Sequence, residues 1–216
     1  MNEVLLEEKY VLEYIRYTLN DIMIGTSDVT DAKYHHNTQY LLTKSIIKHG
    51  ILSLEELNKL GIRNYTNDTL KVMDDIESHI NGKTGISLSI VGLTDLYRDE
   101  EEYDPYDSSL VDLLVSSDIK AARNSCHYGN EFVSKKIITP NNIKSVDIRL
   151  LQYIESDRYQ SIDDIISKYN SLRKIALSII KRNLDIKFRE MSDGKGDIFD
   201  IDRLSNIPKI KIKNYS

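Results

Sequence analysis

Tyr128-Gly129-Asn130-Glu131-Phe132-Val133, running on through Lys135-Lys136-Ile137-Ile138-Thr139-Pro140 to Ile143-Lys144-Ser145-Val146, is the stretch that decides the reading of this chain. A carboxylate opens a short apolar run, a proline breaks it, and Ile143, Val146 and Ile148 begin another apolar segment. Side chains on a strand alternate between faces, so Glu131 and Val133 share one face while Phe132 and Ser134 take the other. A glutamate among core-facing neighbours is costly to bury unpaired. It therefore opens onto a cleft or has a partner, unless this is an edge strand with Glu131 in solvent.

Working outward, the amino-terminal residues 3 to 23 carry Val4, Val11, Tyr14, Ile15, Leu19 and Ile22 at helical spacing and predict one helix. Ala32 to Thr38 is a short segment with a polar end. An amphipathic helix follows through Leu41, Leu42, Ser45, Ile46 and Ile47, with Gly50 as its left-handed stop. Ser53-Leu54-Glu55-Glu56 is a capping box opening a short helix. Asn67 or Asp68 caps another, with Leu70, Met73, Ile76 and Ile80 as its stripe. Ile86 to Val91 alternates as a strand does, and Leu110 to Val115 is a further strand candidate. Asp99 to Asp107 is an acidic loop without the spacing or turn glycine of a calcium site. Residues 161 to 183 predict a helix capped by Ser161. The tail from Ser192 is weakly patterned, with one alternating edge-strand run at its end, Ile207 to Lys213.

Composition bounds the class. At 216 residues, 40% hydrophobic and 29% charged, the chain is globular. No apolar run approaches the roughly 18 residues of a membrane span, and the acidic amino terminus lacks a signal peptide's basic region. The single cysteine, Cys126, excludes an internal disulfide and a cysteine-based zinc cluster. A soluble, cytoplasmic protein without a metal is the expectation. The net charge of −5 is unevenly spread. From Lys168 onward twelve basic residues face six acidic ones, a local +6, which leaves −11 for the preceding residues. That end suits a nucleic-acid or partner-binding surface, or a solvated helical face, equally well.

Gly82-Lys83-Thr84 mimics the end of a P-loop, but Glu77 stands where that motif needs glycine. The informative constellation is His36-Asn37-Thr38, the helix closing in Ile46-Ile47-Lys48-His49-Gly50-Ile51, Ser87-Leu88-Ser89, and Asn130-Glu131-Phe132. Over residues 34 to about 148 this order and spacing resemble the ADP-ribosyltransferase superfamily. The His-x-Thr and Glu-Phe-Val blocks are most similar to the DarT-type toxins. The resemblance implies an α+β domain: a split antiparallel sheet with surrounding helices, spanning residues 1–155, and a helical, basic carboxy-terminal extension over 156–216.

What the resemblance implies for chemistry is NAD-dependent mono-ADP-ribosyl transfer to a macromolecule, in a toxin or phage-conflict effector that an antitoxin or inhibitor would oppose. Glu131 and His36 would be catalytic. His36, Asn37, Thr38, Ser87, Ser89 and Tyr40 would hold NAD, with Ser87 supporting the Glu131 carboxylate. His35 precedes His36, so either histidine could serve, and spacing to the helix favours His36. The resemblance also implies a nicotinamide-stacking aromatic, sought among Tyr40, Tyr97 and Tyr103, and an arginine, sought among Arg63, Arg98 and Arg123. Arg123, His127 and Tyr128, in the loop before Glu131, are the expected contacts to the acceptor. Gly129 stands where arginine-modifying members carry a second Glu or Gln, which argues against arginine and slightly favours a nucleic-acid acceptor over a protein. NAD hydrolysis with water as acceptor and a silent interaction module are the alternative functions.

Overall fold

The computed structural model describes residues 2–61, 85–90, 110–123, 131–156, 161–192 and 195–213. The expected helix after Asn67, the acidic loop at 99–107 and the false P-loop lie outside these. Elements are numbered here over the described residues.

The chain opens with strand β1 (Glu3–Leu6), not with the helix expected from residue 3. Val4 and Leu6 alternate inward, and β1 runs parallel to β11 (Lys209–Ile212), with Val4 beside Ile210 and Leu6 beside Ile212. The amino-terminal helix is shorter, α1 at Val11–Asp21, and buries Val11, Ile15 and Leu19 at i, i+4 and i+8. Beyond it stand β2 (Met23–Thr26) and β3 (Ala32–Gln39), which leads directly into helix α2 (Tyr40–His49).

Gly50 ends α2 for two reasons. Its φ of +89° disfavours any side chain, and a Cβ there would lie 2.3 Å from the Ile138 carbonyl oxygen. That close approach lets Ile51 and Ile138 exchange backbone hydrogen bonds at 2.9 and 3.1 Å. Ser53 and Glu56 then cap helix α3 (Leu54–Lys59) reciprocally, as the sequence predicts.

Among the described residues nine strands form the main sheet, in the order β2-β10-β9-β8-β5-β3-β4-β7-β6. Its members beyond β3 are β4 (Ile86–Ser89), β5 (Leu110–Ser116), β6 (Ala122–Arg123), β7 (Glu131–Ser134), β8 (Ile143–Ile148), β9 (Lys187–Ser192) and β10 (Lys195–Phe199). The sheet is mixed, since β8 and β9 run parallel and the other pairs antiparallel. Helix α4 (Leu150–Glu155) and the long helix α5 (Ile162–Lys181) make the crossover that a parallel pair requires. One face carries Tyr34, Val111, Leu113, Val115 and Val146 into a core shared with α1, α2 and α5. From α5, Ile165, Tyr169, Leu172, Ile175 and Ile179 complete it.

The carboxy-terminal stretch is therefore not a helical extension. Among the described residues there, α5 and α6 (Ile201–Ser205) are the helices. Strands β9 and β10 continue the main sheet, and β11 pairs with the chain's start. Arg189 of β9 sits opposite Asp147 of β8 and donates Nε to its Oδ1 at 2.8 Å and to Ser145 Oγ at 3.0 Å. Burial pushes the Asp147 carboxyl up, and the Arg189 guanidinium opposes that shift. Glu190 next door is equally buried, and its carboxylate accepts the backbone N–H groups of Leu150, Leu151 and Gln152 at the start of α4. Burial raises its pKa to about 8 against those three donors.

Candidate functional site

Three adjacent strands assemble the site. In register, His35 of β3 faces Ser89 of β4, and Ser89 faces Glu131 of β7. Residues directly opposite one another project to the same face of a sheet. His35, Ser87, Ser89 and Glu131 thus share one face, and the Tyr34–Phe132 ring contact, with centroids 5.5 Å apart, lies on the other. The Ser87 hydroxyl donates to Glu131 Oε1 at 2.6 Å. That length is typical of a hydroxyl bonded to an ionised carboxylate.

The ladder between β3 and β4 holds a single register pair, His35 with Ser89. The next link across the two strands comes from a side chain. His36 Nδ1 lies 2.9 Å from the Ser87 carbonyl oxygen. A carbonyl only accepts, so Nδ1 carries the hydrogen and the neutral ring keeps its lone pair on Nε2. Burial holds the His36 pKa below 6.5, against the opposing pull of the Ser87 carbonyl and the Asp112 charge, so the ring is neutral at pH 7. Strand alternation starts the His36 side chain from the face opposite Glu131, and its ring reaches Ser87 between the strands. Ser87 therefore contacts both residues, Glu131 through its hydroxyl and His36 through its carbonyl.

A cavity of about 330 Å³ opens at the end of β3. His36, Asn37 and Thr38 form one wall, Leu42 and Ile46 of α2 another, and Leu54 of α3 a third. Such a largely apolar hollow with a few polar groups along one side is the usual form of a small-molecule site.

Among the other expected site residues, Ser89 stands half-buried opposite Glu131. Tyr40 is not at the cavity. It is 3% exposed in the core, its hydroxyl has no hydrogen-bond partner among the described residues, and burial pushes its pKa well up. The helix explains why: Tyr40, Thr43 and Ile47 face inward at i, i+3 and i+7, whereas Leu42, Ser45, Ile46 and His49 face the cavity. Arg123 is exposed on β6 and registers with Phe132, which directs it to the face opposite Glu131. His127, Tyr128, Tyr97, Tyr103, Arg63 and Arg98 lie outside the described residues.

One pair was missed by the sequence reading. His35 Nδ1 lies 2.9 Å from Asp112 Oδ2, and the Asp112 side chain is 6% exposed. A carboxylate inside the apolar run Leu110-Val111-Asp112-Leu113-Leu114-Val115 was the available signal. The basic surplus beyond Lys168 is also partly spent inside the fold. Lys168 pairs with Asp164, Arg189 with Asp147, Arg203 with Asp21 and Lys211 with Glu3. Lys187 donates to Ser27 and Asp28, and Arg173 to the Ser205 carbonyl.

No family model matches the sequence, and no curated protein matches it. Among solved structures, Thermosipho africanus DarTG in complex with ADP-ribose is similar, with a TM-score of 0.43 and 13% identity. The match covers 84% of this chain and 53% of that one, so this chain spans about half its length. Among the described residues no helix is long and apolar enough to cross a membrane, and no three metal-ligating side chains cluster.

Proposed function

We propose that the protein is an NAD-dependent mono-ADP-ribosyltransferase with Glu131 as its catalytic carboxylate. The observation that carries this is the double engagement of Ser87, with Glu131 on its hydroxyl and His36 on its carbonyl. His36 also walls the cavity, so a dinucleotide lying there would have to extend past the His36 ring to bring its ribose to the carboxylate. Asn37 and Thr38 on the same wall would hold it beside His36. The neutral His36 offers Nε2 as an acceptor for a ribose hydroxyl. The bond from ribose C1′ to nicotinamide breaks, its electron pair leaves with the nicotinamide nitrogen, and positive charge develops on the ribose. A fixed carboxylate stabilises that charge mainly in the transition state. The acceptor then bonds to C1′ and gives up a proton.

Ser89, opposite Glu131, would complete the polar floor of the site. The acceptor we favour is a nucleic acid, on the resemblance of the His36-Asn37-Thr38 block and on Gly129 in place of an arginine-directing acid. The carboxy-terminal charge supports this less than its sequence suggests, since among the described residues at least six of the twelve basic side chains have partners within the fold. Water as acceptor would make the same site an NAD glycohydrolase. A role as a cytoplasmic toxin or conflict effector, restrained by an antitoxin, rests on the resemblance alone. The test is binding of NAD by calorimetry to the wild type and to His36→Ala. Binding that is lost in the variant supports the reading, and absence of binding to the wild type overturns it.

A further inference from the structure

We propose that Arg149 is an anion-binding residue that holds a phosphate group at the end of the sheet where the cavity opens, an inference that does not depend on the proposed transferase site. Arg149 follows Ile148, the last residue of β8, and immediately precedes α4. It is 4% exposed, and its Nε is covered without a hydrogen bond. Among the described residues no acceptor or carboxylate pairs with the guanidinium. A guanidinium keeps its charge wherever it is placed. A buried charge that lacks a partner opposes folding, so this one points to a counter-ion bound from outside the chain.

The carboxylates of the neighbouring strands are engaged elsewhere. Asp147, two residues back, takes the Arg189 guanidinium and the Ser145 hydroxyl. Asp112, in register with Asp147, pairs with His35 through Oδ2. Its Oδ1 makes no hydrogen bond, so Asp112 and Arg149 do not meet. Glu190, in register with Ile148, accepts the N–H groups of Leu150, Leu151 and Gln152. Arg149 is thus left with its charge in a setting where each nearby acid already has a donor.

The topology sets this residue near the cavity. Strands β3 and β8 both run antiparallel to β5, which stands between them, so their carboxy-terminal ends lie at the same end of the sheet. Gln39 pairs with Leu110 and Asp112 with Asp147, which sets Arg149 level with Leu110 and Gln39. Two cross-strand steps put the Gln39 and Arg149 Cβ atoms about 10 Å apart, and Gln39 lines the cavity. The guanidinium fork offers parallel N–H donors that fit two oxygens of one phosphate. That group has two sources, a nucleotide lying in the cavity or inorganic phosphate held on its own, and both present the same oxygens to Arg149.

The experiment measures melting of the full chain and of Arg149→Met in buffer free of phosphate and sulfate, with sodium chloride, inorganic pyrophosphate or ADP-ribose added at constant ionic strength. Pyrophosphate at ten times its Kd should raise the wild-type Tm by about 3–6 °C relative to chloride. Arg149→Met should show no such shift. Without the anion it should melt no lower than wild type, because the substitution removes an unpaired buried charge and keeps the stem. Arg149→Lys, which keeps the charge without the fork, should retain a smaller shift. No wild-type shift with pyrophosphate overturns the proposal, as does an equal shift in Arg149→Met. An Arg149→Met protein that melts well below wild type, or does not fold, also overturns it, since the guanidinium would then be a structural contact. ADP-ribose tells the sources apart. If it competes with pyrophosphate and binds Arg149→Met about 10-fold or more weakly, the phosphate belongs to a nucleotide. If it binds beside pyrophosphate, or only pyrophosphate binds, the phosphate is inorganic. Both outcomes uphold Arg149 as the anion-binding residue, and the transferase reading stands or falls separately, on nicotinamide release.

Discussion

The Ser87 hydroxyl lies 2.6 Å from Glu131 Oε1 although 44 positions separate the residues, and the bond runs diagonally across the antiparallel pair β4–β7. Ser87→Ala removes this donor and leaves the backbone carbonyl that holds His36. A hydrogen bond to a charged group contributes about 1.5–3 kcal/mol. Turnover should therefore fall by about 10- to 100-fold while NAD affinity stays near wild type. Steady-state kinetics on nicotinamide release measure both quantities, and an unchanged kcat would detach Ser87 from Glu131 function.

His36 makes the protein sensitive to acid. Burial depresses its pKa in the folded state below 6.5, so the unfolded chain binds the proton more readily. The stability it contributes is fully present above pH 6.5 and declines as pH falls through that value. Urea midpoints at pH 7.5 and 5.5 should show this decline, and it should be smaller in His36→Gln. Protonation of Nε2 also removes the proposed ribose acceptor, so NAD affinity should weaken at the lower pH where the folded ring takes up its proton.

Gly50→Ala should disrupt both the fold and the cavity. The backbone there is left-handed, and the new methyl would meet the Ile138 carbonyl at 2.3 Å. Positive φ alone costs roughly 1–2 kcal/mol, and relieving the contact must separate Ile51 from Ile138. Chemical unfolding should register a loss of at least about 2 kcal/mol. A variant as stable as wild type would show that this junction can shift freely.

Arg189→Met tests whether the carboxy-terminal strands belong to the main sheet energetically. It leaves the Asp147 carboxylate without its guanidinium in a buried setting. Breaking one side of such a pair costs about 3–5 kcal/mol, so the whole domain should unfold at lower urea. Loss confined to the carboxy-terminal residues, with the rest still folded, would mean that they form a separate unit.

Local signals made several elements legible in advance. Helix α2 with its stop at Gly50, the Ser53 capping box, strands β4 and β5 and helix α5 all follow from periodicity and turn chemistry. The resemblance, rather than any local pattern, set Ser87 beside Glu131, and the two are hydrogen-bonded across β4 and β7. Tertiary pairing hid the rest. Val4 and Leu6 fit a helical stripe as well as a strand, and only the distant Ile210 and Ile212 make them a strand. Strand β9 was invisible because Arg189 and Glu190 look solvent-exposed until Asp147 and the start of α4 are brought to them. Tyr40 looked available because sequence does not say which side of α2 faces the core. The His35–Asp112 pair was hidden by distance along the chain, since 77 positions separate the two residues.

The central claim is that Glu131 catalyses cleavage of the bond between ribose and nicotinamide. Its most direct measurement incubates wild type and Glu131→Gln with NAD labelled in the adenylate, alone and with cell lysate, following free nicotinamide and macromolecular label. The account predicts nicotinamide release and label transfer by wild type. It predicts a loss of both in the variant by at least about 100-fold, an effect of roughly 3 kcal/mol, with an unchanged melting curve. Label that disappears with nuclease identifies a nucleic-acid acceptor, and label that disappears with protease a protein. Near wild-type nicotinamide release by a folded Glu131→Gln protein, or none by the wild type under either condition, would contradict the account.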